Sequence, residues 1–143
     1  MAYVSYNSNE TKKLAKKLAH GLSGKRLKGV IALTGELGAG KTTFVQGFAE
    51  GLGIEDKIIS PTFVLIRIHK IPKSNKTLFH IDLYRLDDSK QLEGLGLEEI
   101  ISDPGNTVLI EWAEKAKDLL PKEPPCNHFE LTGDTRRISN TTD

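Results

Sequence analysis

The segment Gly35-Glu36-Leu37-Gly38-Ala39-Gly40-Lys41-Thr42 carries a glycine, four residues, then Gly-Lys-Thr. That spacing suits a polyphosphate cradle. Small side chains at Gly38, Ala39 and Gly40 let successive backbone N–H groups turn toward phosphate oxygens, and the positive end of a following helix points the same way. Lys41 adds a point charge between the β- and γ-phosphates, and the Thr42 hydroxyl stands where Mg²⁺ is ligated. The expected ligands are therefore ATP and Mg²⁺, and the expected chemistry is hydrolysis of the terminal phosphoryl group.

Such a loop works with an acid at the end of a neighbouring strand, close enough to hold the metal. Two residues compete for that place. Glu111 follows the apolar run Val108-Leu109-Ile110, and Asp82 lies in His80-Ile81-Asp82-Leu83-Tyr84-Arg85. Strand alternation puts His80, Asp82 and Tyr84 on one face, readable as an exposed sheet face or as support for the metal and the attacking water. Ser60-Pro61-Thr62-Phe63 occupies the place of a switch loop, with hydroxyls at Ser60 and Thr62 to sense the γ-phosphate. His20, His69, His80 and His128 share no metal-ligand spacing, and Cys126 is the single cysteine, so zinc, thiol and disulfide chemistry are not expected.

The elements that position these residues can be read from periodicity. Leu14, Leu18 and Leu22 recur every four residues after Ser8 and Asn9, either able to cap, which predicts an amphipathic first helix. Val30 to Leu33 predicts a buried strand central to the sheet. Phe44, Phe48 and Leu52 predict a helix ending at Gly53. Phe63 to His69 and Thr77 to Leu83 predict an antiparallel hairpin across Lys70 to Lys76. A helix is expected within Ser89 to Ile101, weakened by Gly94 and Gly96, then a strand over Thr107 to Ile110 and a helix closing before Pro121. Phe129 to Leu131 reads as an edge strand and Ile138 to Asp143 as a frayed polar tail. Strands alternating with helices, plus one hairpin, predict an α/β, P-loop NTPase-like three-layer fold with a mixed, mostly parallel central sheet.

With 143 residues, 38% hydrophobic and 27% charged, the chain is expected to form one domain over residues 1–143. A net charge of +1 gives no overall field for nucleic acid. Locally, Lys12, Lys13, Lys16, Lys17, Lys25, Arg26 and Lys28 face Glu10 alone, while Asp82, Asp87, Asp88, Glu93, Glu98, Glu99 and Asp103 face Arg85 and Lys90. Both runs read first as solvated faces and second as docking surfaces. No leader or membrane-length apolar stretch is apparent, so a cytoplasmic setting is expected.

Taken together, GELGAGKTTF, SPTF, HIDLYRL, GLGLEE at Gly94 to Glu99, and IEW at Ile110 to Trp112 resemble the TsaE family over roughly residues 7 to 137. The resemblance implies a small bacterial ATPase needed for threonylcarbamoyladenosine modification of tRNA, working with TsaB and TsaD and meeting tRNA through that complex. It implies that Gly38 to Thr43, including Thr43, bind phosphates, that Thr42 and Glu111 hold Mg²⁺, that Asp82 supports hydrolysis, and that Trp112 neighbours the site. It also implies that Thr11 and either Arg136 or Arg137 lie near the nucleotide base. Glu36 departs from the family's frequent aspartate, and the chain after Lys117 carries no distinctive pattern. Two other functions share the loop: a small metabolite kinase, and a nucleotide-dependent switch module without productive turnover.

Overall fold

The computed structural model describes residues 2–20, 29–35, 40–58, 66–86, 94–120, 126–132 and 137–140. After a short strand β1 (Ala2–Val4), helix α1 (Ser8–His20) starts one residue earlier than a Ser8 cap would place it and two earlier than an Asn9 cap. Asn7 Oδ1 accepts the Glu10 N–H at 2.9 Å, and Glu10 Oε2 reaches back to accept the Tyr6 N–H at 2.5 Å. This reciprocal arrangement satisfies backbone donors that a helix start leaves open. Thr11, Ala15, Leu18 and Ala19 are buried along one stripe, while Lys13, Lys16 and Lys17 are exposed. Lys13, Lys16 and Lys17 thus form the outer face of an amphipathic helix, while Lys25, Arg26 and Lys28 lie outside the described residues.

Strand β2 (Val30–Gly35) and helix α2 (Lys41–Gly51) follow the predicted order. Phe44, Val45, Phe48 and Ala49 are fully buried, and truncating a buried phenylalanine in such a core costs about 3–5 kcal/mol. The helix closes as Gly53 predicts, with Gly53 N–H donating to Glu50 O and Ile54 N–H to Ala49 O. A Cβ at Gly47 would stand 2.4 Å from Lys12 O, and one at Gly51 2.7 Å from Lys16 O. Only glycine at these positions lets α1 lie this close on α2.

Strands β3 (Ile66–Lys70) and β4 (Thr77–Asp82) form the expected antiparallel hairpin. Helix α3 (Leu97–Ser102) is shorter than the Ser89 to Ile101 expectation: Gly94 to Gly96 form a turn, Gly96 being left-handed just before the helix, and 87–93 lie outside the described residues. Strand β5 (Asn106–Glu111) leads into a 3₁₀ segment, Ala113–Leu119, broken at Ala116, where an α-helix was predicted.

Strand β6 (Cys126–Thr132) pairs with β2 on one side and β7 (Arg137–Asn140) on the other, giving a seven-stranded sheet ordered β1-β7-β6-β2-β5-β4-β3. Two expectations are corrected here. The Phe129 to Leu131 strand is internal, not an edge, and the tail is a strand as far as Asn140, paired with both β6 and β1. Its backbone pairing, not an apolar pattern, places it there. The four middle strands, β6, β2, β5 and β4, are parallel and the outer pairings antiparallel, with β2 at the centre. Alternation divides the core: Ile31, Leu33 and Leu109 face α1 and α2, whereas Val30, Ala32, Val108 and Ile110 face α3 and the 3₁₀ segment. The result is the three-layer α/β architecture expected. Among the described residues no helix is long and apolar enough to cross a membrane.

Candidate functional site

Parallel pairing levels the C-terminal ends of three neighbouring strands. Leu33 of β2 pairs with Glu111 of β5, and Glu111 pairs with Asp82 of β4. In open α/β sheets this carboxyl edge is where ligands bind. The chain leaves β2 at Gly35, whose φ of +135° and approach to β6 exclude other residues, since a Cβ would stand 2.1 Å from Leu131 O. It returns as α2 through Gly40, a left-handed N-cap with φ 98° and no side-chain cap. The first turn of α2 therefore presents Lys41, Thr42 and Thr43 at the sheet edge.

Lys41 is buried at 5% exposure. Its Nζ donates to Gly35 O at 2.6 Å and lies 4.0 Å from the centroid of the Trp112 ring. The Thr42 hydroxyl donates to Glu111 Oε1 at 2.9 Å, a contact across 69 residues of sequence. The other carboxylate oxygen, Oε2, accepts from His80 Nε2 at 2.5 Å, with Glu111 only 2% exposed and His80 fully buried. Asp82 is 7% exposed, and its Oδ1 accepts the Tyr84 N–H at 3.0 Å. Burying these groups is costly unless they are bonded to one another, so the cluster is built for charge and not for packing.

Trp112 completes one wall. It has a positive φ of 58°, which an aromatic residue adopts only when its surroundings hold it there, and its ring lies 5.1 Å from that of Tyr84. Lys115 Nζ donates to Tyr84 O and Leu86 O, tying the 3₁₀ segment to the end of β4.

Of the residues singled out in the sequence, Gly35, Gly40, Lys41, Thr42, Thr43, Asp82 and Glu111 come together at this edge. It is Glu111, not Asp82, that meets Thr42. The row His80, Asp82, Tyr84 is not an exposed sheet face: its first two members are buried on the face that carries Leu78 and Leu109 under α1 and α2, and only Tyr84 is exposed. The acidic run therefore contributes Asp82 to the interior instead of to a solvated surface. Thr11 lies in the α1 capping network, fully buried, its hydroxyl 2.6 Å from Ser5 Oγ. Gly38, Ala39, Ser60, Thr62 and Arg136 lie outside the described residues, and Arg137 is placed only by its backbone in β7. Sequence reasoning gave His80 no ligand-holding partner; its place two residues before Asp82, one strand from Glu111, was the available signal. Among the described residues, no three His, Cys, Asp or Glu side chains cluster as a metal site by themselves.

A parallel core with a glycine-bounded turn from β2 into α2, and a buried acid ending the adjacent strand, defines a P-loop-like α/β protein. A profile described as "Threonylcarbamoyl adenosine biosynthesis protein TsaE" matches residues 5–139, and the chain belongs to the TsaE family. Proteins named tRNA threonylcarbamoyladenosine biosynthesis protein TsaE are similar throughout. That of Rickettsia felis is 45% identical over 92% of this chain and 74% of its own length, and that of Bacillus subtilis 40% identical over 96% and 82%. The crystal structure of Bacillus subtilis YdiB superposes with a TM-score of 0.75 at 34% identity, covering 98% of this chain and 83% of that one.

Proposed function

We propose that the protein is a Mg²⁺-dependent ATPase serving threonylcarbamoyladenosine biosynthesis on tRNA, acting on a TsaB–TsaD complex. Membership of the TsaE family supports the pathway. The observation that carries the ATPase reading is the 2.9 Å contact between Thr42 Oγ1 and Glu111 Oε1. Mg²⁺ takes oxygen ligands at about 2.0–2.1 Å in a regular octahedron, whose neighbouring corners stand about 2.9 Å apart. A hydroxyl and a carboxylate with that separation fit Mg²⁺, which takes few protein ligands and completes its shell with phosphate and water. When bound, the ion neutralises charge on the β- and γ-phosphates.

The chain's own groups do the rest. The α2 N-terminus and the backbone beside Gly40 receive phosphate oxygens. Lys41, already poised at the mouth of the loop between Gly35 O and Trp112, supplies the cation for the terminal phosphates. Asp82, on the strand beside Glu111, is the group that orients the attacking water. Burial of Glu111 and His80 keeps bulk solvent from competing for the carboxylate.

The test is ATP hydrolysis by the purified chain, alone and with TsaB, TsaD and tRNA, with Lys41→Ala as the blank. A partner-dependent rate that Lys41→Ala lowers by about 100-fold or more, with a retained cooperative melt, is expected. ATP binding with no turnover under any of these conditions would replace the motor with a nucleotide-dependent switch.

A further inference from the structure

Glu111 is held at both of its oxygens. Oε1 accepts from Thr42 Oγ1 at 2.9 Å, and Oε2 accepts from His80 Nε2 at 2.5 Å. Left alone, a glutamate carboxyl turns freely about its last torsion, a broad two-fold well, and can offer a ligand one oxygen or both. His80 removes that freedom. In the β4–β5 register His80 pairs with Leu109, which places Glu111 two residues further along the neighbouring strand on the same face, within diagonal reach. The imidazole has no competing attachment: among the described residues Nδ1 has no hydrogen-bond partner, although the side chain is fully buried. A buried polar atom is normally bonded, so leaving Nδ1 bare has a cost, and the ring's one hydrogen bond among the described residues is the Nε2–H donated to Glu111.

We propose that His80 is a positioning residue that fixes Glu111 as a one-oxygen ligand, with Oε1 beside Thr42, and thereby tunes the site for Mg²⁺ over Ca²⁺. The inference rests on the nucleotide reading above. Its chemical basis is the difference between the two ions. Mg²⁺ demands single oxygens at octahedral corners, whereas Ca²⁺ accepts a carboxylate through both oxygens in a larger, looser shell. With Oε2 engaged by His80, the two-oxygen mode is closed. A histidine that merely filled the core would be replaceable by any side chain of similar bulk.

The experiment measures ATP binding to the full chain by calorimetry in EDTA, in Mg²⁺ and in Ca²⁺, for the parent, His80→Gln and His80→Asn. The glutamine amide nitrogen reaches about as far from the backbone as Nε2, while that of asparagine matches Nδ1. Affinity in EDTA is expected to agree within about two-fold for all three, while the gain on adding Mg²⁺ falls about 10-fold in His80→Asn and is largely kept in His80→Gln. The gain on adding Ca²⁺ is expected to persist in His80→Asn, so the Mg²⁺ to Ca²⁺ preference narrows. Equal Mg²⁺ gains and equal preferences in the parent and His80→Asn would overturn the inference, whatever the melting temperatures do. Should His80→Asn lose its cooperative melt, His80→Leu, of similar bulk but without a donor, decides: a folded variant that keeps the parent's preference overturns it, and one that loses the preference supports it. A parent showing no Mg²⁺ gain would instead remove the nucleotide–metal reading itself and this inference with it.

Discussion

Two histidine–carboxylate contacts among the described residues use the same chemistry in different surroundings. His80 and Glu111 meet at 2.5 Å with side chains 0% and 3% exposed, each on a strand of the parallel core. His69 and Asp56 meet at 3.1 Å between β3 and the turn after α2, with Asp56 68% exposed. Water can take over the role of Asp56, although His69 is 12% exposed, so the contact is worth little. Nothing can take over in the first: removing one partner strands the other in the interior. A buried pair that costs so much to maintain belongs where its geometry is used, and it sits against Thr42 at the first turn of α2.

The difference should be largest in turnover. Glu111→Gln keeps the shape but removes the charge and one acceptor, and is expected to lower ATP hydrolysis by about 100-fold or more. Asp56→Asn makes the equivalent change at the surface pair and should leave the rate within about two-fold. Steady-state assays on the two variants side by side check this, and similar losses in both would erase the distinction.

Stability should separate them next. A double-mutant cycle with His80→Leu and Glu111→Leu, read by denaturant unfolding, is expected to give a coupling of about 2 kcal/mol, in the upper range for contacting residues. A coupling near zero would mean that the core tolerates these groups independently and that their closeness is incidental.

The site also carries its own reporter. Trp112 is the single tryptophan in the chain and lies against Lys41 Nζ. Drawing Lys41 onto phosphates removes a cation from the indole face, so ATP with Mg²⁺ is expected to change Trp112 emission, with the change absent in Lys41→Ala. Asp56→Asn should leave the response intact. A response that survived in Lys41→Ala would uncouple the indole from the lysine.

How much of this could be read beforehand follows the distance between residues in sequence. The strand from Val30 to Gly35 and the helix from Lys41 to Gly51 lie close together in sequence, and local pattern was enough to define both. Glu111 and Asp82 stood out as strand-end acids, but the choice between them needed the β2–β5 pairing that brings Thr42 to Glu111 across 69 residues. His80 was visible as a polar residue in a strand, yet alternation alone could not tell a solvated face from one covered by α2. β1 and β7 were missed because edge pairing is made by backbone groups, which leave little trace in Tyr3-Val4 or Ser139-Asn140. The helix expected after Trp112 became a 3₁₀ segment, broken at Ala116, while Lys115 reaches the carbonyls of Tyr84 and Leu86. Tertiary contact outweighed helix propensity there.

The smallest effect is the one that closes the comparison. A second double-mutant cycle, His69→Gln with Asp56→Asn, probes a contact of the same two side-chain types in which the carboxylate is mostly in water. Ordering both side chains offsets most of what the contact gains, so the coupling is expected below about 0.5 kcal/mol. Neither variant should alter the gain in ATP affinity on adding Mg²⁺, because the His69–Asp56 contact is separate from the hydrogen bonds that join Thr42, Glu111 and His80. Denaturant unfolding and calorimetry on the same four proteins read both quantities at once. A coupling as large as that of the buried pair would show that the contact itself, not the surroundings, sets its worth, and burial would no longer explain why His80 and Glu111 matter.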